Sequence, residues 1–128
     1  MLNLNRNTRL FFFQYIFQRD YSTDFELDEF IVKNIKKRPF NKRKLKSLYD
    51  SFEVNNQLIK NLLSPEVQKK TNKISIFLLY AFFSEFLIDR GKKNILMGEY
   101  IKLSKDFLTN DEVKYFNFLL DDIAQKAS

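Results

Sequence analysis

Cysteine, histidine and tryptophan are absent from the 128 residues, and glycine and proline occur only twice each, as Gly91, Gly98, Pro39 and Pro65. Without cysteine there is no disulfide framework, thiolate nucleophile or Cys-based zinc site. Without histidine there is no imidazole base and the commonest metal ligand is missing. Serine-histidine and cysteine-histidine catalysis are thereby excluded. The two glycines stand too far apart for a GxGxxG turn or a GxxxxGK[ST] phosphate loop, so the usual nucleotide cradles are excluded as well. No cofactor or metal is expected. Long apolar runs are also missing: the longest uncharged one, Ile74 to Ser84, ends at Glu85, whereas a bilayer span needs about 20 residues. Arg6 and Arg9 precede an apolar stretch from Leu10 to Phe17, but Gln14 interrupts it and Arg19-Asp20 stands where a small-residue cleavage site would lie. A cytoplasmic chain with no membrane segment is the expectation.

What is abundant is positive charge and phenylalanine. Lys and Arg number 22 against 16 Asp and Glu, a net charge of +6, and fifteen residues are Phe. Residues 1–63 carry 12 basic and 7 acidic side chains, which places most of the excess on the first half and favours anionic partners. The length suits one domain, residues 1–128.

With so few breakers the apolar spacing is helical throughout. Leu10, Phe13 and Phe17, with Phe12 and Ile16 beside them, give the apolar face of a first helix, and Phe11 and Tyr15 sit further round. Thr23 and Glu26 form a capping box ahead of Leu27, Phe30, Ile31 and Ile35, predicting a second helix that stops before Pro39. Asn41 can cap a long third helix with Leu45, Leu48, Tyr49, Phe52, Ile59, Leu62 and Leu63 on its stripe. Ser64-Pro65 reads as a cap followed by proline at the first helical position. Asn72 to Arg90 reads as a core helix closed by Gly91 in the left-handed conformation. Asn94 starts another, with Leu96, Tyr100, Leu103 and Phe107 in line. Thr109 and Glu112 open a last helix along Val113, Phe116, Leu120, Ile123 and Ala124. No alternating strand pattern and no repeat appears, so the expected class is all-α.

Two constellations carry chemistry. Eight basic residues and no acidic one lie between Lys33 and Lys46, among them Lys42, Arg43, Lys44 and Lys46. They read either as a phosphate-binding surface or as a solvated helix junction. Aromatics that could stack on unpaired bases are Tyr15, Phe11 and Tyr115, the first two on the helix that carries Arg6, Arg9 and Arg19. The second constellation is polar: Glu99 and Asn117 interrupt apolar lines, and buried polar groups there are expected to lock packing. No acid–base pair has the makings of a catalytic site, and no enzymatic activity is expected.

The order of elements resembles the NusB family of bacterial transcription antitermination factors. Arg9, Phe13-Gln14 and Phe17 resemble the family's opening pattern. Ile95-Leu96-Met97-Gly98-Glu99-Tyr100-Ile101-Lys102-Leu103-Ser104-Lys105-Asp106-Phe107 resembles its "INEAVELAKKF" segment, and Tyr115-Phe116-Asn117-Phe118-Leu119-Leu120-Asp121 its "FVNGVLD" segment. The family's Asn before Glu99 is Gly98 here, its Gly after Asn117 is Phe118, and Leu79 stands near its central-helix Arg. The resemblance implies a compact bundle of about six to seven helices, acting without catalysis as a monomer or homodimer in a transcription complex. It implies binding of single-stranded, boxA-like RNA together with a NusE-like ribosomal protein. By position, Arg6, Arg9, Gln14, Phe17 and Tyr115 would lie at or near the RNA, and Glu99 and Asn117 match signature positions. The arginine cluster is thinned to Arg6 and Arg9, with the lysines between Lys33 and Lys46 available to compensate. The departures leave a second expectation open, a helical interaction module that has lost specific RNA binding.

Overall fold

The computed structural model describes residues 4–21 and 38–127, and six α-helices account for most of them. They are α1 (Leu4–Tyr21), α2 (Lys42–Leu62), α3 (Pro65–Lys70), α4 (Lys73–Phe86), α5 (Lys93–Ser104) and α6 (Asn110–Ala127), with a short 3₁₀ turn at Arg90–Lys92. Among the described residues there is no strand, and no helix is long and apolar enough to cross a membrane. The expected second helix, with Thr23, Glu26, Leu27, Phe30, Ile31 and Ile35, lies outside the described residues, as do Lys33, Lys36 and Lys37.

Helix starts follow the side-chain chemistry of the sequence. Asn41, Ser64 and Asn72 each accept a hydrogen bond from the backbone N–H three residues on, capping α2, α3 and α4. At α6 the box is reciprocal: the Thr109 N–H donates to Glu112 Oε1 at 2.9 Å and the Glu112 N–H donates to Thr109 Oγ1 at 3.2 Å. Glu112 Oε2 also accepts from Asn72 Nδ2 at 2.7 Å, tying the start of α6 to the start of α4.

Helix α4 is the centre. Eleven of its residues, from Ser75 to Phe86 with only Tyr80 part-exposed, are buried, and it packs against α1, α2, α5 and α6. Phe82 touches the rings of Phe83, Phe86 and Tyr100. α1 runs antiparallel to α4, as Phe17 meets Phe77 near one end and Arg9 meets Glu85 near the other. α1 also packs against α2 and α5, so it is buried on more than one side. That corrects the placement of Tyr15 and Phe11: both are 2% exposed, Tyr15 edge-on to Tyr49 of α2 and Phe11 edge-on to Phe40.

Two further expectations are corrected. α4 stops at Phe86 rather than Arg90, because the Glu85 carbonyl accepts from both the Ile88 and Asp89 N–H groups and the chain turns into the 3₁₀ segment. Gly91 lies inside that segment and has no positive φ, so no left-handed cap is made there. α5 stops at Ser104, and Phe107 lies past its end, in contact with the Phe13 ring at 5.0 Å.

Core and surface phenylalanines should therefore separate sharply. Phe82→Ala, at a fully buried site, is expected to cost about 3–5 kcal/mol in denaturant unfolding, and Phe118→Ala, 61% exposed, under about 0.5 kcal/mol. Equal losses at the two positions would contradict this packing.

Candidate nucleic-acid interface

The end of the bundle where α1 and α2 begin is organised around one carboxylate. Arg9 of α1 donates two hydrogen bonds to Glu85 of α4, Nε to Oε1 at 2.8 Å and Nη2 to Oε2 at 2.9 Å. Lys44 of α2 lies 3.0 Å from Oε2, and the Tyr100 hydroxyl of α5 donates to Oε1 at 2.9 Å. Glu99 lies 3.8 Å from Arg9 and 4.0 Å from Lys102, half-buried at the rim. Burial alone would raise the Glu85 pKa, but the hydrogen bonds and charges of Arg9, then Lys44, hold it below the ordinary 4.5. Burial likewise works against the Arg9 cation and is outweighed by Glu85, so the guanidinium stays charged. Tyr100 is pushed well above its ordinary value, first by burial and then by Glu85, and stays protonated as a donor.

Burial and pairing set Arg9 apart from the exposed cations: it is 7% exposed and gives two hydrogen bonds to Glu85. Lys44 is largely engaged too, with its side chain 26% exposed. Lys42, Arg43 and Lys46 are exposed and make no ion pair among the described residues. Four basic residues thus stand in the first five positions of α2, at the positive end of its dipole, where each exposed cation costs about 0.3–1 kcal/mol. Among the described residues, only Lys44 has a carboxylate to offset it. Arg6 is exposed on the same end of α1 and lies 3.6 Å from Asp106.

The N-terminal parts of α1 and α2 are bound together by Asn7 Nδ2 donating to the Pro39 carbonyl and the Asn41 N–H donating to Thr8 Oγ1, both at 2.8 Å. Arg6, Lys42, Arg43 and Lys46 consequently share one end of the molecule. Phe17 and Tyr115 do not join them. Phe17 is part-buried against Phe77, and Tyr115 stands one turn beyond Glu112, which contacts Asn72 at the start of α4. Phe77 and Glu85 are separated by about 12 Å along the α4 axis. Gln14 is part-buried midway along α1. Tyr115 and Phe118 form an exposed stacked pair, 40% and 61% exposed, with ring centroids 6.4 Å apart.

Asn117 is exposed, which corrects its assignment to the inward line. The buried stripe of α6 is centred on Phe116, Leu120 and Ile123, and position 117 falls past its edge. The residue that sequence reasoning passed over is Glu85, treated only as the end of an apolar run. A lone carboxylate in an otherwise apolar helix requires buried cationic partners, and that requirement was the available signal.

These features define a class: an all-helical bundle closed by a buried four-helix ion cluster, with a cationic junction at one end and exposed aromatic rings toward the other. No family model and no curated protein matches the sequence. Among solved structures the chain is similar to NusB of T. maritima, with a TM-score of 0.79 and 21% identity over 98% of this chain and 94% of that one. The fold is NusB-like.

Because the Glu85 pKa is lowered in the folded state, its contribution is present above the ordinary carboxyl value of 4.5 and is lost as pH falls below it. Glu85→Gln is expected to destabilise by about 3–5 kcal/mol at pH 7, leaving Arg9 buried with only the more distant Glu99 as counter-charge. The gap between variant and wild type should narrow on acidification below about pH 4.5. A gap that is flat with pH would contradict an ionised Glu85.

Proposed function

We propose that this protein is a non-catalytic, cytoplasmic RNA-binding factor of the NusB type, acting in transcription antitermination. In this reading it binds boxA-like single-stranded RNA together with a NusE-like ribosomal protein. The observation that carries the reading is the NusB-like fold, combined with the cluster of exposed cations where α1 and α2 begin. Arg6, Lys42, Arg43 and Lys46 hold phosphates, and affinity comes from release of counterions, which makes it steeply salt-dependent. Tyr115, stacked with Phe118, offers a ring face to an unpaired base, a contact worth about 1–3 kcal/mol. Phe17 and Gln14, part-buried on α1, are further candidate contacts in this reading. Arg9 and Lys44 shape the surface from beneath, by fixing α1 and α2 through Glu85.

One observation favours the alternative of a helical interaction module without specific RNA binding. Arg9 and Tyr15, two of the residues first expected at the RNA, are occupied in the interior. The two readings separate in one experiment.

Fluorescence anisotropy of a boxA-like RNA and a scrambled control, from low to physiological salt and with or without a NusE-like protein, should show a partner-enhanced preference for the boxA-like sequence. Lys42→Glu with Lys46→Glu should weaken binding and lower the slope of log K against log salt by about 0.7 per lost phosphate contact. Equal binding to both RNAs that vanishes at physiological salt would leave the interaction module as the function.

A further inference from the structure

Above the Glu85 cluster, the first turns of α1 and α2 and the segment from Ile88 to Leu96 enclose an open pocket of about 480 Å³, within the range typical of ligand sites. Four aliphatic side chains, Leu48, Ile88, Ile95 and Leu96, line it alongside polar and charged ones. Ile88 and Ile95 are 52% and 65% exposed, large apolar side chains held at the surface beside a cavity. Among the described residues four cations also line it, Arg9, Arg43, Lys44 and Lys92, against two carboxylates, Glu85 and Asp89. Among the described residues the lining thus carries more positive than negative charge: Glu85 takes up Arg9 and Lys44, while Arg43 and Lys92 are exposed, Lys92 3.6 Å from Asp89.

We infer that this pocket is a docking site for an acidic protein segment, which inserts one aliphatic side chain between Ile88, Ile95 and Leu96 and sets flanking carboxylates on Arg43 and Lys92. The charge excess selects for acidic partners, and the aliphatic walls select the class of contact. Unpaired bases are held by aromatic rings, and among the described residues no ring lines this pocket, so RNA phosphates could meet its cations but would leave its aliphatic side chains uncovered. The docking does not depend on RNA binding. It shares Arg43 with the phosphate surface, so an acidic segment seated here would compete with RNA for that cation.

The test is a methyl NMR titration of the full chain with the peptide acetyl-Asp-Glu-Leu-Glu-Asp-amide. Shifts should concentrate on the methyls of Ile88, Ile95, Leu48 and Leu96. Replacing the peptide's leucine with alanine should weaken binding about tenfold, the size expected for losing one buried aliphatic side chain. Arg43→Glu with Lys92→Glu should weaken it about fivefold or more, given the modest worth of each exposed ion pair. Both residues are exposed, and amide spectra of the variant check that the fold is unchanged. The proposal fails if the alanine peptide binds equally well, if the shifts fall elsewhere, or if no shifts arise. It also fails if the same methyls respond as strongly to an oligouridine RNA, or shift with protein concentration alone, which would make RNA or a second copy the occupant.

Discussion

The bidentate bond between Arg9 and Glu85 is the constraint on which the remaining structure depends. Lys44 and Tyr100 complete it, so α1, α2, α4 and α5 all contribute to one buried carboxylate. Such a cluster adds little stability over an apolar replacement of the same shape, because desolvation consumes most of the attraction. Its effect is on arrangement. Sliding α1 by one turn along α4 would strand a guanidinium and a carboxylate in the interior, whereas the phenylalanines around them could find other apolar neighbours. The Phe-rich faces supply the cohesion of the core, and the ion cluster sets which register that cohesion serves.

The same cluster divides the basic residues by task. Along α2, Leu45 and Leu48 face the core, Lys44 turns to Glu85, and Lys42, Arg43 and Lys46 are left in solvent. Of the four basic residues that open α2, one is thus a structural cation and three are on the surface. The aromatics divide likewise: Phe11, Phe12, Phe13 and Tyr15 are interior, and Tyr115 and Phe118 are exposed. The exposed cations of α2 and the rings of Tyr115 and Phe118 lie toward different ends of α4, so a ligand using both must extend along the bundle.

Much of the fold was legible in the sequence, where local chemistry acts over three or four residues. The caps at Asn41, Ser64, Asn72 and Thr109 stand where side-chain spacing put them, and the stripes of α2 and α6 are buried as their periodicity implies. What periodicity could not tell was how many neighbours a helix has. α1 is covered by three others, so Tyr15 and Arg9, off its main stripe, are interior all the same. The end of α4 was misplaced for a related reason, since Arg90 donates to the Ala127 carbonyl, a contact between segments far apart in the chain. Of the candidate site, the exposed cations of α2 and the ring of Tyr115 were legible. The pocket was not, because its walls come from helices that the sequence does not show to be neighbours.

The hydrogen bond from Asn72 to Glu112 links two caps that are forty residues apart. Each residue satisfies the backbone at the start of its own helix and also orients the other, so neither can be exchanged on its own without loosening both starts. In any set of relatives that keep this junction, the two positions are expected to change together, leaving a covariation signal between α4 and α6 even where overall identity has decayed.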